Sequence, residues 1–172
     1  MILKIRKYGD EILSKKAARI NFNTMRKELP KIINDMTQTC LAMNGVGLAA
    51  PQVGLDLSLA VIMLPLDKGE EKIYKKYVLI NPEISLSKGV VSGSEGCLSF
   101  PGLDIRVERA QEVKVKYLNE KGLPVELKTS GLLAIILQHE IDHLNGRVFI
   151  NRLKGEERAA AVAKIKELSK TW

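Results

Sequence analysis

Histidine, cysteine and aromatic residues are scarce in this chain of 172 residues, which has two histidines, two cysteines and only 5% aromatic content. Each shortage excludes something. So few aromatics leave no stacking platform of the kind that holds single-stranded nucleic acid. Two cysteines, Cys40 and Cys97, cannot make the framework of a small secreted domain, and a cytosolic chain of this size rarely keeps a disulfide. The longest unbroken apolar runs, Leu59 to Leu64 and Leu132 to Leu137, are six residues each, against the roughly 20 that a membrane-crossing helix needs. Nor does Met1-Ile2-Leu3-Lys4-Ile5-Arg6-Lys7 carry the long apolar core and small-residue cleavage site of a secretory signal. The expectation is a cytoplasmic protein that does not engage the membrane.

A hydrophobic content of 45% is ample for one core, and the length fits a single domain over residues 1–172. The formal charge of +7 favours acidic surroundings, but charge alone concerns solubility and steering and specifies no nucleic-acid site. No direct, sequence-specific nucleic-acid binding is expected.

Apolar residues at Leu29, Ile32, Ile33, Met36, Cys40 and Met43 form a 3.6-residue stripe, predicting an amphipathic helix over 24–44 that exits at Gly45. Pro30 either sits in its first turn or kinks a longer helix. On this stripe Cys40 is most simply a small buried hydrophobe. Strands are predicted at Ser58–Leu64, Tyr74–Ile80 and Glu112–Leu118, followed by a turn at Asn119–Gly122 into a strand at Pro124–Lys128. Ser130 then offers a cap for a helix whose start, Leu132 to Leu137, is apolar nearly all round and so must be buried; Gly146 ends it. A last amphipathic helix at about 155–170 has Ala159, Val162, Ala163, Ile165 and Leu168 on one face and lysines on the other. The expected class is α+β: antiparallel sheets around a central buried helix, with one helix in the N-terminal half and one at the C-terminal end.

Both histidines fall on the central helix, in His139-Glu140-Ile141-Asp142-His143. Residues i and i+4 share a helix face, so two imidazoles can reach one divalent cation while Glu140, rotated by about 100°, stands beside it as a base acting on water. A catalytic site of this kind takes a third protein ligand and keeps a position open. With no third histidine, that ligand comes from Cys, Asp or Glu. The best candidate is Cys97 within Glu95-Gly96-Cys97-Leu98-Ser99-Phe100-Pro101, a glycine-containing turn closed by proline. A third segment, Gly45-Val46-Gly47-Leu48-Ala49-Ala50-Pro51-Gln52-Val53-Gly54, is too small and glycine-rich for ordinary core and lets something approach the backbone closely. It is not a phosphate cradle, because no Lys-Ser or Lys-Thr follows. Its one amide side chain, Gln52, suits a developing oxyanion.

Three blocks in this order, Gly45 to Gln52, Glu95 to Ser99 and Gln138 to His143, make the chain resemble the peptide deformylases, in their compact bacterial form. The likeness reaches back to Tyr8-Gly9-Asp10-Glu11-Ile12-Leu13, with Glu11 where the family often has proline. The resemblance implies that Cys97, His139 and His143 bind one divalent metal, ferrous iron (Fe2+) in the cell with Zn2+, Ni2+ or Co2+ as alternatives, and that Glu140 moves the proton. Gln52 and the backbone amide of Leu98 would hold the formyl oxygen. Backbone groups of Val46, Gly47 and Gly96 would pair with an extended N-formylmethionyl nascent peptide, and Leu132, Ile135 and Ile136 would help line its methionine pocket. The family often carries arginine where Asp104 stands, with Arg106 two residues beyond.

Two other readings share parts of the pattern. A general metalloendopeptidase needs a long open cleft, and a structural zinc module needs four protein ligands in a closed site. Beyond the site, six basic residues against three acidic ones from Arg152 to Trp172 make the last helix a candidate contact for the ribosome.

Overall fold

A computed structural model describes residues 1–66 and 73–172. Seven strands and four α-helices are described: α1 (Phe22–Met25), α2 (Leu29–Ala42), β1 (Gly47–Ala49), β2 (Leu59–Leu66), β3 (Ile73–Lys88), β4 (Val91–Cys97), β5 (Phe100–Arg109), β6 (Glu112–Leu118), β7 (Pro124–Ser130), α3 (Gly131–Leu144) and α4 (Gly155–Leu168). The strands form an antiparallel five-stranded sheet in the order β1-β2-β3-β6-β7 and a separate β4-β5 hairpin. The α+β class expected from the sequence is the one observed.

The large sheet is covered on both faces, and alternation along β2 shows how. Leu59, Val61 and Met63 join Leu29, Ile33, Met36 and Cys40 of α2, while Ala60 and Ile62 join Leu133, Ala134, Leu137 and Ile141 of α3. A strand buried on both sides reads as a continuous apolar run, which is why Leu59 to Leu64 shows no polar alternation. A third cluster, from Phe100, Leu103 and Val107 to Phe149, Ala161 and Ile165, fastens α4 to the hairpin.

Where structure and sequence reading differ, the causes are local. The predicted helix over 24–44 is two helices, and Pro30 lies in the first turn of α2, where a missing N–H costs nothing. Its exit is made by Asn44, at φ 54°, rather than by Gly45, and Met43 lies past the helix and is exposed. Strand β3 continues beyond Ile80 to Lys88 across a register shift, where Asn81 takes φ 52° ahead of Pro82. Such a bulge admits a proline that would break a regular ladder. Ser130 occupies the cap position of α3, but its side chain makes no capping hydrogen bond. In α4 the buried residues are Ala161 and Ile165, whereas Ala159 and Ala163 face solvent. Both cysteines are free. Burial pushes the Cys40 thiol up to about 12, in keeping with an inert core residue.

Candidate metal centre

The central helix carries its chemistry on a rigid, buried element. His139 and His143 lie one turn apart on α3, and their Nε2 atoms are 3.2 Å from each other. Cys97 arrives from the end of β4, with its Sγ 3.3 Å from His143 Nε2. It ends a strand at the mouth of the expected turn, which Leu98 and Ser99 make between β4 and β5. Donor atoms of Cys97, His139 and His143 all lie within 4.8 Å of one another. In a tetrahedral site with metal–nitrogen bonds of about 2.0–2.1 Å and a metal–sulfur bond of about 2.3 Å, donor atoms stand roughly 3.3–3.6 Å apart. The residues therefore fit a single ion. No fourth His, Cys, Asp or Glu joins this group among the described residues, so the site is open, as a catalytic site is.

His139 is fixed from behind. Its Nδ1 pairs with Glu95 Oε2 at 2.8 Å, which places the proton on Nδ1 and leaves Nε2 to face the other donors. Glu95 is gripped in turn by Arg109, with Nε to Oε1 at 2.7 Å and Nη2 to Oε2 at 2.8 Å. Arg109 also donates to Asp142 at 2.5 Å, and Arg152 closes the chain on the same carboxylate at 2.7 and 2.8 Å. Burial would raise the Glu95 carboxyl, yet hydrogen bonds and charge from Arg109 and His139 hold it at about 2. Burial also works against protonation of His139, but the hydrogen bonds of Cys97 and Glu95 raise its pKa well above the usual value. His143 is lowered well below it, by burial first and then by the charge of its neighbour His139.

Glu140 explains Gly47 in the glycine-rich segment Gly45 to Gly54. A Cβ added at Gly47 would run into Glu140 Oε1, so what approaches the backbone there is the protein's own carboxylate. Burial pushes this carboxyl up to about 7, against the pull of His139 and Arg109. Its Oε2 has no protein partner, an orphaned buried acceptor beside the metal ligands. Gln52 is oriented with equal economy: its Oε1 accepts the backbone N–H of Ala49 at 2.8 Å, which turns the amide NH₂ toward Ser99 Oγ (3.3 Å) and Cys97 Sγ (3.5 Å).

These groups open into a cavity of about 800 Å³, lined by Val46, Gly47 and Gly96 at the strand edges and by Leu132, Ile135 and Ile136 from α3. Gln52, Leu98, Glu140 and the three donor residues thus meet at one place, His143 through its contacts with Cys97 and His139, whereas Arg106 does not line the cavity. Leu132 departs from the expectation of burial, being 53% exposed at this cavity. Sequence reasoning missed Arg109, Asp142 and Arg152. Arg109 falls in step with the inward Leu103 and Val107 of β5, so a charged residue at an inward position was the available signal.

A buried helix presenting two histidines and a glutamate, a cysteine thiol and an open cavity define the class: a metal-dependent hydrolase. A sequence profile described as polypeptide deformylase matches residues 2–159. The peptide deformylase of Elusimicrobium minutum is 45% identical over 173 residues, covering 99% of this chain and 98% of its own. A crystal structure of a peptide deformylase from Legionella pneumophila superposes with a TM-score of 0.86 at 42% identity, over 99% of this chain and 96% of that one. The peptide deformylase from Ehrlichia chaffeensis in complex with actinonin gives 0.87 at 37% identity, over 99% of both. This chain belongs to the peptide deformylase family, metal-dependent amidohydrolases that remove the formyl group from the N-terminal formylmethionine of new polypeptides.

Proposed function

We propose that Cys97, His139 and His143 hold the catalytic ion and that Glu140 is the proton carrier of the deformylation reaction. The observation that carries this reading is the convergence of three donor atoms within 4.8 Å beside a buried carboxylate with an orphaned oxygen. When bound there, a divalent ion supplies Lewis acidity and makes hydroxide available near neutral pH. Glu140, raised to about 7, accepts the proton of the attacking water and passes it to the departing amine. Gln52 Nε2 and the backbone N–H of Leu98 serve the formyl oxygen as its charge develops. Val46, Gly47 and Gly96 offer backbone groups to an extended peptide, and Ile135, Ile136 and Leu132 take the methionine side chain. The test is formate release from formyl-Met-Ala-Ser set beside cleavage of an unformylated internal peptide. Formate with no internal cleavage is expected; the reverse would make the chain an endopeptidase.

For the metal we propose ferrous iron, with zinc, nickel or cobalt able to replace it. A donor set of one thiolate and two imidazoles suits all of these, and affinity order alone favours zinc over iron. Metal analysis of anaerobically purified protein decides.

We further propose a cytoplasmic enzyme whose terminal helix meets the ribosome. Supporting this, no described helix is long and apolar enough to cross a membrane, and α4 shows solvent Arg158, Lys164 and Lys166, with Lys170 just past its end. Because the apolar side of α4 is packed on β5, charge reversal of Lys164, Lys166 and Lys170 tests this better than deletion. Unchanged ribosome co-sedimentation at low salt would refute it.

A further inference from the structure

Among the described residues, two sheet edges at the cavity have no strand partner: β1 ends the five-stranded sheet, and β4 pairs with β5 alone. An extended peptide can add to such edges through its backbone, so side chains beyond the reacting residue are read by whatever stands over the edge. Beside β4, on its paired strand β5 and at the cavity wall, stands Asp104. It is the cross-strand partner of Gly96, next to the metal ligand Cys97, and a Cβ at Gly96 would come within 2.9 Å of Asp104 Oδ1. The missing side chain at Gly96 therefore gives the carboxylate room to lean over the strand.

Of the acidic residues lining the cavity, Glu95 is spent on Arg109 and His139, and Glu140 is buried. Asp104 is exposed and makes no ion pair among the described residues. Two lysines also line the cavity. Lys7 donates to the Leu98 carbonyl at 3.0 Å, and Lys4 lies on the N-terminal segment, away in sequence from the β4 edge. The remaining exposed lining residues, polar Asn44 and Ser94 among them, carry no charge to oppose the carboxylate.

Resting on the deformylase reading above, we infer that Asp104 is a specificity-determining residue, selecting substrates with lysine or arginine at the first or second position after formylmethionine. An exposed pair at a strand edge is a modest interaction, and exchanging attraction for repulsion roughly doubles the contrast. The Lys-to-Glu ratio of kcat/KM should be roughly three- to tenfold at low ionic strength and should shrink with added salt.

The experiment measures formate release from formyl-Met-Lys-Ser, formyl-Met-Glu-Ser and formyl-Met-Gln-Ser, and from formyl-Met-Ala-Lys, formyl-Met-Ala-Glu and formyl-Met-Ala-Gln. Each enzyme is referred to its own rate on the neutral peptide, so altered folding or metal content cancels. Wild type should favour lysine in one of the two series, Asp104→Asn should bring that ratio close to one, and Asp104→Lys should invert it. Lys4→Ala should leave the preference for lysine in place. A ratio near one in wild type, a preference for glutamate, or a lysine preference that survives Asp104→Asn overturns the inference. Formyl-Met-Ala-Ser in wild type separates the two claims, since turnover there with no charge preference sinks only the role of Asp104.

Discussion

Glu140 and Gly47 are coupled by space, and their variants separate proton transfer from metal binding. Glu140→Gln keeps the shape of the site and removes the proposed base, so formate release should fall by about 10²- to 10⁴-fold with metal content unchanged. Normal activity at full metal occupancy would refute the base. Gly47→Ala places a methyl where Glu140 Oε1 now lies and must displace the carboxylate, with an expected loss of about 10²-fold and no loss of metal. The pH profile follows from the same residue. Only ionised Glu140 accepts a proton, so activity falls as pH drops through its pKa; burial sets this at about 7, and a neighbouring cation lowers it. The acid limb of kcat/KM should lie at or below pH 7 and vanish from the residual activity of Glu140→Gln.

At the scale of elements, the chain Arg152, Asp142, Arg109, Glu95 and His139 ties the β4-β5 hairpin to α3 and so holds Cys97 against the histidines. Arg109→Leu removes the buried cation shared by Glu95 and Asp142, leaving each with one partner, and should cost about 3–5 kcal/mol in denaturant unfolding. A loss below 1 kcal/mol would mean that the hairpin is held by its apolar contacts alone. Glu95 gives the pH counterpart. Its folded pKa of about 2 lies below the ordinary 4.5, so its stabilisation is complete above 4.5 and lost as pH falls toward 2. In metal-free protein, Glu95→Gln should reduce stability by a few kcal/mol at pH 7 and flatten its fall across that window.

Local periodicity shows which elements were legible in the sequence. The strand at Glu112–Leu118 has the bounds predicted from its alternation, and the turn at Asn119–Gly122 closes as expected, with Asn119 Oδ1 accepting from Lys121 and Leu123. The His139 to His143 spacing likewise fixed helix, face and chemistry together. What stayed hidden depends on partners distant in sequence. The step from Leu103 and Val107 to Arg109 marks an inward charge but not its partners Glu95 and Asp142, and the bulge at Asn81 masks half of β3 from any pattern of period two. Buried acidic and basic residues look like surface ones until the fold brings them together.

Across the whole molecule, the large sheet serves as a wall: α2 lies on one face, α3 on the other, and the hairpin brings a sulfur to the nitrogens that α3 displays. Everything proposed for the reaction depends on that meeting. X-ray absorption at the metal edge of the loaded enzyme tests it most directly. One sulfur at about 2.3 Å together with two imidazole nitrogens at about 2.0–2.1 Å is the expected first shell, the sulfur vanishing in Cys97→Ser. A spectrum of the active enzyme fitted by nitrogen and oxygen alone, with no sulfur, would contradict it.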